Sequence, residues 1–193
     1  MTQRKIFIDG GGNNGCSVRY FKKEIDIVNE YEVYSFEPNL EFTEIYENLI
    51  EQYSIKYFPC ALSTYDGEIT FYKNLSNSSA NTTNEIKGKK RGVGSGVSGK
   101  VEIEKVKCID LGNFIKNNFS ISDYIHLKLD VECAEYDILN KMLDDGSIDY
   151  VNKLSIEWHN NKCGVNPQVD KVLEKAIKAK KIVINNAWNA LGY

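Results

Sequence analysis

Five short stretches concentrate the apolar residues of this chain. They are Lys5–Asp9, Val33–Glu37, Ile55–Leu62, Tyr124–Asp130 and Val151–Trp158, each about the length of a buried strand. Cys16–Asn29 spaces Val18, Phe21, Ile25 and Val28 for one side of a helix, and Glu41–Tyr53 does the same with Phe42, Ile45, Leu49 and Ile50. Pro38 ends the second strand. A β-α-β-α-β alternation of this kind predicts a mostly parallel, twisted sheet with helices on both faces. Asp66-Gly67 marks a turn before two further strands, Glu68–Tyr72 and Val101–Cys108, expected to pair with each other. Helices are predicted over Leu111–Asn118, Ala134–Leu143 and Val169–Lys180, and a last strand over Lys181–Asn185. Leu75–Lys100, "LSNSSANTTNEIKGKKRGVGSGVSGK", is too polar and glycine-rich to fold alone. It reads as a mobile surface loop on the substrate side, with Lys87, Lys89, Lys90 and Arg91 set to meet anionic groups. With no repeat and no boundary, residues 1–193 read as one domain around one open sheet.

Composition narrows the class. The 193 residues are 42% hydrophobic and 26% charged, which suits a globular domain, and a net charge of -3 supplies no global basic field for nucleic acid. No stretch is apolar for the ~20 residues that a membrane span needs. The first residues carry no signal-peptide cleavage region, so an intracellular, cytoplasmic location is expected. Cys16, Cys60, Cys108, Cys133 and Cys163 form no C-x-x-C pair and are odd in number, so reduced thiols and no zinc site are expected. Four Asn-x-Ser/Thr matches, at Asn74, Asn77, Asn81 and Asn118, read as chance in an Asn-rich chain without a secretory signal.

The stretch "IFIDGGGNNG" sets an acid directly against a glycine loop. Gly10-x-Gly12-x-x-Gly15 has dinucleotide spacing, but a carboxylate at Asp9 would repel a pyrophosphate. S-adenosylmethionine carries no phosphate and offers a sulfonium and an ammonium, which Asp9 would attract while Gly11 lets backbone approach. Asp9, Glu37, Asp130 and Glu157 all fall at carboxyl ends of predicted strands, where ligands bind in such sheets, so they are expected to ring one crevice. Glu37 lies about 20 residues beyond the glycines, where an acid bonds ribose hydroxyls. Tyr124-x-x-x-Lys128 has the spacing of a hydride-transfer pair, but alternation with Ile125, Leu127 and Leu129 makes it a strand that separates the two by roughly 13 Å.

"FIDGGGNNG", "VYSFEPN", "ALSTYDGEITFY", "IDLGNFI" and "IHLKLDVECAEYDIL" occur in that order, with "LSIEWH" later. Together they resemble the signatures of the FkbM-type methyltransferases from Ile6 to about His159. The resemblance implies a Rossmann-like class I methyltransferase fold and S-adenosylmethionine-dependent methyl transfer to oxygen, often of a sugar or polyketide hydroxyl. Asp9, Gly11, Asn13 and Gly15 match the cofactor loop, and Glu37, Pro38 and Asn39 the ribose-binding turn; Ser63 is placed with this cofactor set. Asp130, Glu132, Ala134 and Glu135 match the "DVEGAE" segment. Cys133 replaces the family's usual glycine there, where a positive φ is expected. The chain is short after Trp188, so family elements beyond the last strand are expected to be trimmed.

The leading expectation is an O-methyltransferase acting on a hydroxyl of a sugar or glycan. Asp130 is the first choice to take the hydroxyl proton, with Glu157 and His159 as alternatives because residues two apart on a strand share a side. Lys128, Glu132 and Glu135 are expected to face the acceptor. A magnesium or manganese ion on Asp130, Glu132 and Glu157 is the other way to acidify that hydroxyl. Methylation of RNA ribose, kept open by the basic loop, and a non-catalytic binding module on the same fold are the alternatives. A homo-oligomer is compatible with the sequence.

Overall fold

In this computed structural model the structure describes residues 3–78, 81–85, 87–88 and 101–186. The main sheet contains β1 (Lys5–Gly10), β2 (Tyr31–Phe36), β3 (Lys56–Phe58), β7 (Tyr124–Leu129), β8 (Val151–Ile156) and β9 (Val183–Asn185). They lie in the order β3-β2-β1-β7-β8-β9, and every pairing is parallel. Counted by their succession in this sheet, that is the doubly wound order 3-2-1-4-5-6, whose reversal beside the first strand opens a crevice at the carboxyl ends.

Side chains alternate between two cores. Ile6, Ile8, Phe36, Ile125, Leu127 and Leu129 belong to the larger cluster, which also takes up α3 (Leu111–Asn118) and α4 (Glu135–Asp144) through Leu111, Ile115, Ile138 and Leu139. Phe7 and Val33 point the other way and join Val18, Phe21, Tyr46 and Leu49 of the first helical layer. Phe7 stacks on Phe21 with ring centroids 3.7 Å apart. Both faces of the sheet are covered, which is why β1 and β7 are buried at nearly every position.

The first helix and one predicted strand differ from the sequence expectation. The first helix does not reach Asn29: α1 (Cys16–Tyr20) runs into a π-turn at Phe21–Ile25 and stops. Asp26 ends it. The Asp26 carboxylate accepts from the N–H groups of Glu30 and Tyr31 and pairs with the buried Lys22 ammonium at 2.6 Å. Ile25 and Val28, expected on the buried side, are 37% and 74% exposed. A 3₁₀ turn at Leu40–Phe42 leads into α2 (Thr43–Tyr53).

Ile55–Leu62 is not one strand. It breaks at Pro59 into β3 and β4 (Ala61–Ser63), which join different sheets. Proline has no N–H to continue a ladder. The core is therefore not one open sheet. β4 pairs in parallel with β6 (Val101–Asp110), which pairs antiparallel with β5 (Gly67–Asn74), as a separate sheet ordered β4-β6-β5.

The segment after β5 was expected to stand clear of the core. Its described part does not. Thr82 bridges to Tyr72, is buried, and donates its hydroxyl to the Glu132 carbonyl at 2.5 Å. Lys87 is buried as well. Lys89, Lys90 and Arg91 lie outside the described residues, as does Trp188. A one-turn helix, α5 (Asn160–Cys163), and a longer one, α6 (Gln168–Ala179), complete the fold. No helix among the described residues is long and apolar enough to cross a membrane.

Candidate active site

The parallel register sets Ser35, Asp9 and Lys128 side by side on β2, β1 and β7. Asp9 is wholly buried. It accepts hydrogen bonds from Ser17 Oγ and Ser35 Oγ, each at 2.8 Å, and its other oxygen lies 3.0 Å from Lys128 Nζ. Lys128 also donates to the Gly11 carbonyl at 2.9 Å and stands 3.9 Å from Asp130. Burial by itself would lower the lysine pKa, but Asp9 and Asp130 outweigh it and hold Lys128 above its ordinary range. The Asp9 charge is thus spent inside the protein. This corrects the expectation that Asp9 faces a cationic ligand directly: it anchors the glycine loop from behind.

The loop itself is drawn close to two neighbouring strands. Gly11 and Gly12 both donate their N–H to the Phe36 carbonyl at 3.1 Å. Gly11 has φ +77°, and a Cβ there would lie 1.9 Å from the Asp130 carbonyl oxygen. Glycine is needed for this approach of β1's end to β7's end, whatever ligand binds above it. Glu37 accepts from Asn13 N–H and from Asn39 N–H, each at 2.8 Å, so its carboxylate ties the glycine loop to the turn after β2. Burial pushes the Glu37 carboxyl up to about 7, against the pull of those two N–H donors.

A cavity of about 450 Å³ opens over these strand ends, within the usual range for a small-molecule site. Gly11, Asn13, Glu37 and Pro38 line it together with Lys128, Asp130, Glu132 and Glu157, and Asn81, Thr82 and Lys162 complete the lining. Three of the four strand-end acids therefore ring it. Asp9 does not, and neither do Gly15, Asn39, Ser63, Glu135 or His159. Gly15 begins α1 with φ 75°, Asn39 caps the 3₁₀ turn through its side chain, and Ser63 is buried in β4.

Behind the acidic wall stands His159, 1% exposed. It is not on a strand, because β8 ends at Ile156, so strand alternation is not what brings it to Glu157. Glu135 does the placing: it accepts from the His159 backbone N–H at 3.1 Å, from its Nδ1 at 3.0 Å and from Cys133 N–H at 2.8 Å. Nε2 then lies 3.4 Å from Glu157, 3.6 Å from Glu132 and 3.7 Å from Asp130. Glu132 pairs with Lys87 and lies 3.7 Å from Lys162. The basic loop residue expected to meet an external anion meets this internal one. Burial pushes the Asp130 carboxyl up, Lys128 pulls it down, and Glu157 pushes it up again. The His159 imidazole would be lowered by burial, but Glu135 and Glu157 outweigh that and raise it.

The turn carrying these acids departs from ordinary backbone. Glu132 and Cys133 have φ 52° and 95°, the positive φ expected where the family has glycine, adopted here by two side-chain-bearing residues. Cys133 is joined to Cys163 by a disulfide across 30 positions. The expectation that all the thiols are reduced is corrected at this pair; Cys16, Cys60 and Cys108 are free. No local spacing announced the bond, because it forms between the β7 turn and α5, whose Cα atoms the fold brings to 5.8 Å.

Sequence reasoning missed Ser17, Ser35, Thr82 and Lys162. The serines carry no motif of their own, and only the register that sets Ser35 beside Asp9 gives them a role.

No curated protein is similar enough to the chain to count as a relative. Among solved structures, the crystal structure of an FkbM methyltransferase from Methylobacillus flagellatus KT aligns at 13% identity with a TM-score of 0.44, over 74% of this chain and 29% of that one. The chain thus spans less than a third of that protein's length. The model of the methyltransferase FkbM domain matches residues 9–180. That match takes in the glycine loop, the acidic wall and most of both cores, and the chain belongs to the FkbM methyltransferase family.

Proposed function

We propose that the protein is an S-adenosylmethionine-dependent O-methyltransferase acting on a hydroxyl of a sugar or glycan. The observation that carries this reading is the cavity itself. It is lined both by a glycine loop with Glu37, as suits an adenosyl group, and by Asp130 and Glu157, as suits an acceptor. Glu37 would take the ribose hydroxyls, with Gly11 and Asn13 beside the loop-bound part of the donor. Asp130 would orient the acceptor hydroxyl and take its proton, and its raised pKa makes it a better base than an ordinary aspartate. An RNA acceptor is disfavoured, because the wall facing it carries Asp130, Glu132 and Glu157 against two lysines that are already paired. A binding module without catalysis would bind the donor and turn nothing over. An acceptor panel tests that directly.

Calorimetry with S-adenosylhomocysteine and with NAD tests the cofactor assignment: binding of the first and none of the second is expected, and tight NAD binding would sink the reading. The Glu37 shift adds a pH signature. Ribose hydroxyls donate to the ionised carboxylate, so binding expels a proton wherever Glu37 is still protonated. Affinity should therefore rise by up to about tenfold from about pH 6 to about pH 8 and level off above about 7. In the free protein the sign is opposite: a folded-state pKa raised from 4.5 to about 7 makes Glu37 cost stability as pH rises from about 4.5 to about 7, with no further change above that. Glu37→Gln should remove the pH slope and weaken binding by about 1.5–3 kcal/mol. A slope that survives in this variant would clear Glu37 of the role.

Asp130 is tested by kinetics. Asp130→Asn should lower turnover by about 10²–10⁴-fold while leaving S-adenosylhomocysteine affinity nearly unchanged. A raised dissociation constant with turnover spared at saturation would make Asp130 a donor-binding residue instead.

A further inference from the structure

The metal set expected from the sequence was Asp130, Glu132 and Glu157. The structure gathers a different one. Ligand atoms of Asp130, Glu132 and His159 lie within 4.8 Å of one another. Glu157 stands against the imidazole at 3.4 Å but is not in that group.

His159 is the telling member. Its Nδ1 faces a Glu135 oxygen at 3.0 Å, and Glu135 also accepts two backbone N–H groups, as an ionised carboxylate does. A carboxylate only accepts, so Nδ1 carries the proton in this contact. In the neutral ring Nε2 is then a bare lone pair. It is fully buried and makes no hydrogen bond among the described residues. It aims at oxygens of three carboxylates, at 3.4–3.7 Å. In the neutral ring these lone pairs repel, and a shared cation, either a proton on the ring or a metal ion, is what turns that arrangement to advantage. Donors about 2.1 Å from one ion sit roughly 3.0–3.5 Å apart, so the observed separations need only a small inward turn of Asp130 and Glu132.

Two further features fix the ligand-bearing segments. Glu135 holds His159 as a carboxylate commonly holds a metal-bound imidazole, setting both tautomer and ring orientation. The Cys133–Cys163 disulfide ties the turn carrying Glu132 to the helix that His159 caps. The cationic groups near the cluster are Lys87 and Lys162 on Glu132 and Lys128 beside Asp130. An entering cation competes with the first two for Glu132.

We propose that Asp130, Glu132 and His159 form a divalent transition-metal site of the manganese type, with Glu135 as its outer carboxylate. An imidazole nitrogen among carboxylates favours such an ion over magnesium, which prefers an all-oxygen shell. Its use in lowering the pKa of an acceptor hydroxyl rests on the methyl-transfer reading above; the site itself does not.

The full chain, kept under non-reducing conditions and freed of metal by chelator dialysis, is titrated with manganese chloride and followed by electron paramagnetic resonance. One bound manganese per chain is expected, with nitrogen hyperfine coupling from the imidazole. Affinity over magnesium should be at least about tenfold. His159→Gln should abolish the nitrogen coupling and weaken binding by about 10–100-fold. Asp130→Asn, at a partly exposed position, should weaken it comparably in a chain whose circular dichroism matches wild type. No binding at millimolar manganese, or binding without nitrogen coupling in wild type, overturns the site and leaves an imidazolium held by carboxylates. S-adenosylhomocysteine calorimetry on the same samples separates the two ideas. Nucleoside binding without manganese overturns only the metal site, and manganese binding without nucleoside upholds it while sinking the methyltransferase reading.

Discussion

Lys128→Met is expected to destabilise the protein by about 3–5 kcal/mol, because it leaves the Asp9 charge buried with no counterion. Asp9 is 0% and Lys128 2% exposed, so water cannot stand in for the lost ammonium. Two serine hydroxyls remain on Asp9, but neither carries charge. The loss should reach the glycine loop too, since Lys128 also holds the carbonyls of Gly10 and Gly11. Asp9→Asn tests the cause. Combined with Lys128→Met it should recover part of the stability, because no unpaired charge is left. Chemical denaturation of the two single variants and the double variant gives the coupling directly. Additive losses would show that the pair does not act as a pair. The lysine pKa lies above its ordinary value, so this stabilisation is complete at neutral pH and is lost only as pH rises past the lysine range.

Gly11→Ala is expected to cost about 2–5 kcal/mol. The left-handed backbone at φ +77° accounts for about 1–2 kcal/mol in any residue with a Cβ. The rest comes from overlap with the Asp130 carbonyl, which is main chain and cannot swing aside as a side chain would. For a domain of this size the melting temperature should fall by roughly 5–15 °C. S-adenosylhomocysteine affinity should fall with it, since relief of the overlap must move the loop, Asp130 or both. A melting temperature within about 2 °C of wild type would mean that the two strand ends part easily. The glycine would then serve only a ligand.

Both variants test one structural idea. The candidate site is built where β1 meets β7, and what holds the two strands together there is the same chemistry that shapes the cavity floor. The glycine loop cannot be judged by its spacing alone. Gly10-x-Gly12-x-x-Gly15 suits a pyrophosphate, yet in this fold Gly11 is fixed by the backbone of Asp130, a residue far away in the sequence.

Much of this was legible from the chain. Period-two and helical spacings are local, so β1, β2, β7, β8, α2, α3, α4 and α6 fall within a few residues of where the pattern puts them, while the one-turn α5 carried no such signal. The pattern failed where a side chain or a ring overrode it. Asp26 stopped the first helix by taking the N–H groups of the next strand, and Pro59 split a continuous apolar run between two sheets. The order of signatures gave the family. The strand-end positions of Glu37, Asp130 and Glu157 put them on one cavity.

The sequence by itself determined the alternation of strands and helices, the carboxyl-end acids and the glycine turn, because each depends on residues near one another in the chain. The tertiary structure alone decided which charges meet. Lys128 reaches Gly10 across 118 positions. Cys133 finds Cys163, and Glu135 carries His159 to three acids. Those encounters follow from strand order and register. A slip of one residue in the pairing of β1 with β7 would turn Lys128 to the opposite face and leave Asp9 buried without it.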